Sequence, residues 1–172
     1  MKRFETNLAA SIIVILTFAT PGFAADTASV LLKDADGIQV GEITLTEVPR
    51  GVLLALDLFE VPPGDHALHI HAVGKCEPPK FESAGPHFNP ENKEHGLKNP
   101  QGPHAGDMPN IHIPKSGKVK LEVLNQMISL SGTNALLDDD GSAVIIHEGA
   151  DDYTSDPAGH AGNRLACAVV TK

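Results

Sequence analysis

The sequence predicts an all-β protein: an antiparallel sandwich or flattened barrel of eight strands with two long loops. Short segments of alternating apolar and polar residues dominate the chain, and turn residues such as Asp36-Gly37 and Asp140-Gly141 separate most of them. No segment of helical length carries an apolar period of 3.6 residues. Because Trp is absent and other aromatic residues are few, Val, Ile, Leu and Ala must form the core.

The first 24 residues have the features of a secretory signal. A basic start at Lys2 and Arg3 precedes an apolar run over residues 8–19, and small residues lead to an expected cleavage after Ala24. An uncleaved membrane anchor is the alternative, but the apolar run is short for a membrane span. We therefore expect an exported, periplasmic or secreted domain of residues 25–172.

The charge balance excludes two classes of partner. The whole chain has 13 basic and 22 acidic residues, and removal of Lys2, Arg3 and Glu5 with the signal leaves a net charge of −10 with His neutral. A protein with this much negative charge repels nucleic acid and anionic membrane surfaces. We expect neither as a partner once the signal is removed.

Eight segments have the length and alternation of strands, and their number with almost no helix indicates an antiparallel sandwich or barrel. They are residues 29–32, 38–45, 52–59, 66–72, 119–124, 127–130, 143–147 and 164–170.

Two long irregular loops interrupt this pattern. The first spans residues 72–111 and holds seven prolines, and the second spans residues 148–163. A compact domain seldom holds so much irregular backbone unless something pins it. Cys76 and Cys167 are the only cysteines, and in an exported protein such a pair usually forms a disulfide. Closing a loop this long stabilises a fold by about 4 to 5 kcal/mol in the chain-entropy model.

The first loop carries a pattern of metal ligands. His87, His95 and His104 are followed closely by Asp107. Three imidazoles and one carboxylate match a closed tetrahedral zinc site.

A second set of histidines lies on predicted strands. His69 and His71 are two residues apart, so their side chains share one face of the strand, and His147 ends another strand. Three or four imidazoles in a roughly planar array suit Cu(II).

These residues lie in motifs that resemble the copper/zinc superoxide dismutases. The resemblance covers nearly all of the chain after the signal and keeps the order of every motif, which makes it far more specific than a single His-x-His. The motifs are His66-Ala67-Leu68-His69-Ile70-His71, Gly85-Pro86-His87-Phe88-Asn89-Pro90, His95-Gly96, His104-Ala105-Gly106-Asp107, His147-Glu148-Gly149-Ala150-Asp151-Asp152 and Gly162-Asn163-Arg164-Leu165-Ala166-Cys167.

The resemblance implies an eight-stranded antiparallel Greek-key barrel that converts superoxide to molecular oxygen and hydrogen peroxide. It implies one copper and one zinc ion per subunit, with His87 as an imidazolate bonded to both. The implied copper ligands are His69, His71, His87 and His147, and the implied zinc ligands are His87, His95, His104 and Asp107.

The resemblance also implies roles for residues that bind no metal. Asp151 resembles the carboxylate that hydrogen-bonds one copper ligand and one zinc ligand, here His69 and His95. Arg164 resembles the arginine that docks superoxide beside copper. The bridge from Cys76 to Cys167 would tie the first loop to the strand that presents Arg164. Three further histidines match no ligand position: His66 resembles a structural histidine bonded to backbone, and His112 and His160 are expected at the surface.

In the implied reaction copper alternates between Cu(II) and Cu(I), and His87 carries a proton that is returned to the peroxide. The net negative charge opposes an anionic substrate, so attraction requires a local positive field. The tract from Asp151 to Arg164 holds no Lys. The candidates for that field lie in the first loop: Lys75, Lys80, Lys93 and Lys98.

Two alternatives share this fold: a copper-delivery module and a metal buffer with incidental activity. Proteins of the first kind typically lack some copper ligands or the arginine, and this chain has all of them. The sequence leaves open whether the protein is a monomer or a homodimer.

Overall fold

The computed structural model describes residues 26–172, and within them nine strands and one short 3-10 helix form. The strands are β1 (Thr27–Asp34), β2 (Gln39–Val48), β3 (Gly51–Leu58), β4 (Gly64–His66), β5 (Leu68–His71), β6 (Ile111–Ile113), β7 (Val119–Asn125), β8 (Ser142–His147) and β9 (Arg164–Val170), and the 3-10 helix is η1 (Glu82–Ala84). The all-β prediction is confirmed. The predicted signal and its cleavage site lie outside the described residues. From residue 26 onwards, none of the helical structure is long and apolar enough to cross a membrane.

The main sheet is a curled antiparallel sheet with the strand order β5-β8-β9-β1-β2-β3-β7. Strands β4 and β6 form a separate antiparallel pair. Neighbours in the main sheet are often distant in the chain, as with β3 and β7, which is the connectivity of a Greek key. The order places β5 at a free edge next to β8.

Alternation decides which side chains enter the core. In β3 the residues Val52, Leu54, Leu56 and Leu58 are buried, and the residues between them lie toward solvent. Strand β8 is buried on both faces because the first long loop packs over it. On that side Phe81, Ala84, Ala143, Ile145 and Cys167 form a second, smaller apolar cluster.

Three predicted elements differ from the structure. Residues 127–130 do not form a strand, because the segment folds back on itself through a hydrogen bond from Ser129 N to Asn134 O at 3.0 Å. Residues 111–113 do form one, although none of the predicted strands included them. The segment 66–72 is divided at Ala67, whose backbone pairs with Gly149 and His147 instead.

The first long loop is pinned in two ways. A disulfide joins Cys76 to Cys167 of β9 with a Cα–Cα distance of 5.8 Å, as predicted. The loop also covers the free edge of β5, where Ile70 N donates to Gly106 O at 2.9 Å and Phe88 N donates to Ile70 O at 2.8 Å. This pairing places His87 beside His71 and Asp107 beside His69.

Candidate metal centre

Four ring nitrogens converge between β5, the end of β8 and the first loop. They are His69 Nδ1, His71 Nε2, His87 Nε2 and His147 Nε2, and each lies within 4.8 Å of the others. Among residues 26–172, these are the buried side-chain nitrogen and oxygen atoms that have no hydrogen-bond partner. Buried polar atoms are rarely left without one, so four lone pairs facing one point indicate a ligand such as a metal ion.

In three of these rings, the other nitrogen has a hydrogen-bond acceptor, which explains why the convergent nitrogen carries a lone pair. His69 Nε2 donates to Asp151 Oδ2 at 2.8 Å, and His71 Nδ1 donates to Gly85 O at 2.8 Å. His147 Nδ1 faces Gly162 O at 3.3 Å. Each acceptor holds the proton on one nitrogen and leaves the other unprotonated, which is the tautomer that a metal requires.

Burial keeps the rings of His71, His87 and His147 neutral. It lowers the pKa of His71 to about 2 and the pKa of His147 to about 3, and in both cases neighbouring imidazoles add to the effect. Burial likewise lowers the pKa of His87 to about 4, against the raising effect of its hydrogen bond to Asp107. At neutral pH all three imidazoles are therefore available as ligands.

A second group surrounds one oxygen of Asp107. Its Oδ1 lies 2.8 Å from His87 Nδ1, 3.1 Å from His95 Nδ1 and 3.3 Å from His104 Nδ1. His104 Nδ1 and His87 Nδ1 are 3.4 Å apart. Ligands about 2.0 to 2.1 Å from a tetrahedral zinc ion are separated by about 3.3 to 3.4 Å, so this group fits zinc with small adjustments.

One ring belongs to both groups. His87 contributes Nε2 to the four convergent nitrogens and Nδ1 to the group around Asp107. An imidazole that loses its remaining proton can bond a metal through each nitrogen. The arrangement therefore suits two metal ions that share His87.

Asp151 connects the two candidate metal groups through hydrogen bonds to one ring of each. Its Oδ2 accepts from His69 Nε2 at 2.8 Å and its Oδ1 accepts from His95 Nε2 at 3.0 Å. Burial raises the pKa of Asp151, but these hydrogen bonds outweigh it and hold the pKa below its ordinary value. Burial lowers the pKa of His95, yet hydrogen bonds to Asp107 and Asp151 outweigh it and raise the pKa to about 9.

Arg164, the first residue of β9, lies beside this centre. Its guanidinium donates to Phe81 O and, at 2.7 Å, to Gly85 O, the carbonyl that also accepts from His71. Arg164 lines a cavity of about 460 Å³ together with Pro79, Lys80, Glu82, Gly162 and Asn163. The charge is thus held at a solvent opening next to a candidate copper ligand.

The three remaining histidines lie apart from the two candidate metal groups. His66 is buried, and its ring nitrogens lie 2.8 Å from His147 O and 2.9 Å from Pro62 O, so the ring braces the backbone of His147. His112 and His160 are exposed and pair with nearby carboxylates.

The four candidate lysines are scattered. Lys80 lines the cavity of Arg164 and lies 3.8 Å from the Glu82 carboxylate. Lys93 lines a separate cavity beside His104, and Lys98 lies over the ring of Tyr153. Lys75 is exposed.

Sequence reasoning missed two glycines at the centre. Gly85 supplies the carbonyl shared by His71 and Arg164, and only its place in the Gly85-Pro86-His87 motif hinted at a role. Gly159 lies at φ +61°, and a Cβ there would stand 1.8 Å from Asp151 Oδ1. No local pattern marks Gly159, because its importance comes from its closeness to Asp151 in the same loop and to His95 Nε2 of the first loop, 2.8 Å from the same Cβ position.

Comparison with known proteins gives a consistent result. The family model described as copper/zinc superoxide dismutase (SODC) matches residues 39–170. The protein "Superoxide dismutase [Cu-Zn] 1" of Aquifex aeolicus is 51% identical over 78% of this chain and 81% of its own length. "Superoxide dismutase [Cu-Zn] 2" of the same organism is 45% identical over 99% of both chains.

Solved structures agree. A "SOD-like protein" from Bacillus subtilis superposes with a TM-score of 0.80 at 41% identity, covering 83% of this chain and 97% of that one. The "Cu/Zn superoxide dismutase from Brucella abortus" superposes with a TM-score of 0.72 at 27% identity, covering 84% and 99%. The Greek-key barrel fold is shared with both.

Proposed function

Because the chain belongs to the copper/zinc superoxide dismutase family, whose cofactors are copper and zinc, we propose that its two groups of ligands hold these ions. Copper would bind His69, His71, His87 and His147, and zinc would bind His87, His95, His104 and Asp107. The observation that carries this assignment is the convergence of four buried lone pairs without partners, one of them on a ring whose other nitrogen faces Asp107.

The reaction joins two superoxide ions and two protons to give one molecular oxygen and one hydrogen peroxide. When bound, copper supplies a one-electron centre that alternates between two oxidation states, whereas zinc has no redox chemistry. With zinc on Nδ1, the Nε2 of His87 would carry a proton whenever copper does not hold that nitrogen, and the ring would give this proton to the peroxide. Without metal, Nδ1 of this ring donates to Asp107 Oδ1 at 2.8 Å, and with zinc bound both atoms would be its ligands, so the ring is held from this side in either state.

Arg164 binds the substrate in this proposal. Two carbonyl oxygens, of Phe81 and Gly85, accept from separate nitrogens of the guanidinium and fix its plane. Guanidinium has five N–H donors, so others remain for an anion in the cavity. Burial lowers the pKa of Arg164 from its ordinary value, and the Glu82 carboxylate opposes that effect. The group stays charged at neutral pH.

The proposal predicts different losses for two variants loaded with copper and zinc. His147→Ala removes a ligand, so copper content and superoxide consumption both fall. Arg164→Ala keeps copper but loses at least about tenfold in rate, since a charged donor to the substrate is removed. Metal analysis and superoxide consumption at equal copper content measure both.

The matched control is Arg50→Ala, which removes an exposed arginine of the β2–β3 turn and leaves both metal groups intact. Its rate should equal that of the unaltered protein. A full rate in Arg164→Ala would contradict the substrate-binding role.

The alternative of copper delivery or buffering is raised by the similar protein that is named only as SOD-like. A buffer needs ligands but no substrate arginine. If the protein is a buffer, Arg164→Ala would leave its metal retention unchanged. The unaltered protein, loaded with metal, would consume superoxide only slowly. The retained arginine, held by two carbonyls at an opening, favours the enzyme.

We place the protein outside the cytoplasm. The disulfide between Cys76 and Cys167 and the signal expected in residues 1–24 support an oxidising compartment. Cell fractionation tests this, and sedimentation tests whether the protein is a homodimer. The acidic charge supports the absence of nucleic-acid and membrane partners.

A further inference from the structure

Outside both groups of ligands, hydrogen bonds from Asn110 and Tyr153 hold the backbone around Asp151, and we call this network the polar brace. The side-chain amide of Asn110 donates to Asp151 O at 2.9 Å and accepts from Asp151 N at 2.8 Å. It thus satisfies both backbone polar groups of one residue, as a neighbouring strand would. Asn110 itself directly precedes β6, so the brace joins that strand to the second loop.

Tyr153 completes the brace. Its hydroxyl oxygen accepts from Asn110 N at 2.6 Å, and its own backbone N donates to Asp151 Oδ1 at 2.6 Å. On the other side Tyr153 O accepts from Lys98 N at 3.0 Å, and the Lys98 ammonium lies 5.1 Å from the ring centroid. Tyr153 therefore contacts three segments: the first loop, the start of β6 and the residue that links the two groups.

We propose that Tyr153 is a positioning residue that acts through Asn110 to orient the Asp151 carboxylate and, through it, the rings of His69 and His95. The inference rests on the ligand set proposed above. Asp151 must reach two rings on different segments, at 2.8 Å and 3.0 Å, so a small rotation lengthens one hydrogen bond. Asn110 fixes the backbone from which the carboxylate projects, and the Tyr153 hydroxyl fixes the backbone of Asn110.

The test uses the protein with Co²⁺ in place of zinc, because Co²⁺ has visible absorption and shifts the proton resonances of its ligands. Tyr153→Phe removes only the hydroxyl. We expect the dissociation constant for Co²⁺ to rise three- to tenfold. Solvent exchange of the His95 Nε2 proton, followed by NMR, should become at least tenfold faster. A global loss of stability alone would not select this one proton.

The matched control is Thr154→Val. It removes the hydroxyl of the residue that follows Tyr153, and this hydroxyl donates to the exposed Asp152. Both readouts should stay at their original values. Thermal unfolding of each loaded variant confirms that the fold is retained.

A double-variant cycle tests the route through Asn110. Asn110→Ala removes the side-chain brace, so adding Tyr153→Phe to it should change Co²⁺ affinity by less than twofold. A full effect in that background, or unchanged proton exchange in Tyr153→Phe alone, would overturn the inference. If the unaltered protein does not bind Co²⁺, the ligand set fails and the inference fails with it. If the unaltered protein binds Co²⁺ tightly and Tyr153→Phe binds it equally tightly, the role of Tyr153 is overturned and the proposed ligand set is not.

Discussion

At the scale of single residues, the partner of one ring nitrogen determines what the other can do. His69 and His71 are two residues apart on one strand, yet they present different nitrogens to the shared point. The difference follows from their acceptors, the Asp151 carboxylate for Nε2 of one and the Gly85 carbonyl for Nδ1 of the other. The spacing of histidines alone could not have assigned these atoms.

His95 gives a prediction about pH. Without metal, Asp107 and Asp151 raise its pKa to about 9, so the ring is protonated at pH 7 and zinc must displace that proton. Between pH 7 and 8.5 the apparent zinc affinity should rise by about tenfold per pH unit. Competition with a chelator of known pH dependence measures it.

The stability of the metal-free fold changes with pH in the opposite direction from the zinc affinity. The folded-state pKa of His95 exceeds its unfolded value of 6.5, so its contribution to the metal-free fold is fully present below pH 6.5 and is lost as the pH rises through 9. His147→Ala, a change in the other ligand group, should leave the zinc slope unaltered. A flat zinc affinity over this range would show that His95 is neutral in the metal-free protein.

At the scale of elements, the second long loop approaches the centre at Gly159. The backbone there has φ +61°, and a Cβ would stand 1.8 Å from Oδ1 of Asp151, the oxygen that accepts from His95. Any side chain must push the loop or the carboxylate away.

Gly159→Ala should therefore weaken zinc binding by at least about tenfold, and the left-handed backbone alone costs about 1 to 2 kcal/mol of stability. Gly149→Ala is the control in the same loop, since its φ is ordinary and its nearest neighbour is Ala161 O at 3.4 Å. Zinc affinity and urea unfolding of both variants check the prediction. Equal behaviour of the two would contradict it.

Alternation located most of the sheet because one face of each strand is buried. It failed at residues 127–130, where Ile128 and Leu130 are buried but the segment lies in a loop. It also failed at Ile111–Ile113, because three residues are too few to show a period. The candidate ligands could be found from motif order. Gly159 and Tyr153 could not, since their roles arise where two loops meet.

At the scale of the whole molecule, the packing of the first loop fixes the opening beside Arg164. The disulfide and the small cluster around Phe81 hold the first loop against β8 and β9. The same loop supplies both carbonyls that hold Arg164. In the proposed function, substrate access and metal binding therefore both depend on the first loop.

The charge of the molecule opposes its substrate, and Lys80 is the lysine that lines the opening next to Arg164. We expect Lys75→Glu with Lys80→Glu to lower kcat/KM by about three- to tenfold at 0.01 M ionic strength, where charges act over about 30 Å. At 1 M the screening length is about 3 Å, and the difference should vanish. Lys115→Glu with Lys118→Glu changes the net charge equally but alters exposed residues of the β6–β7 turn. If that control slows turnover as much, the total charge matters and a local field at the opening does not; if neither pair has an effect at low salt, the lysines do not guide superoxide.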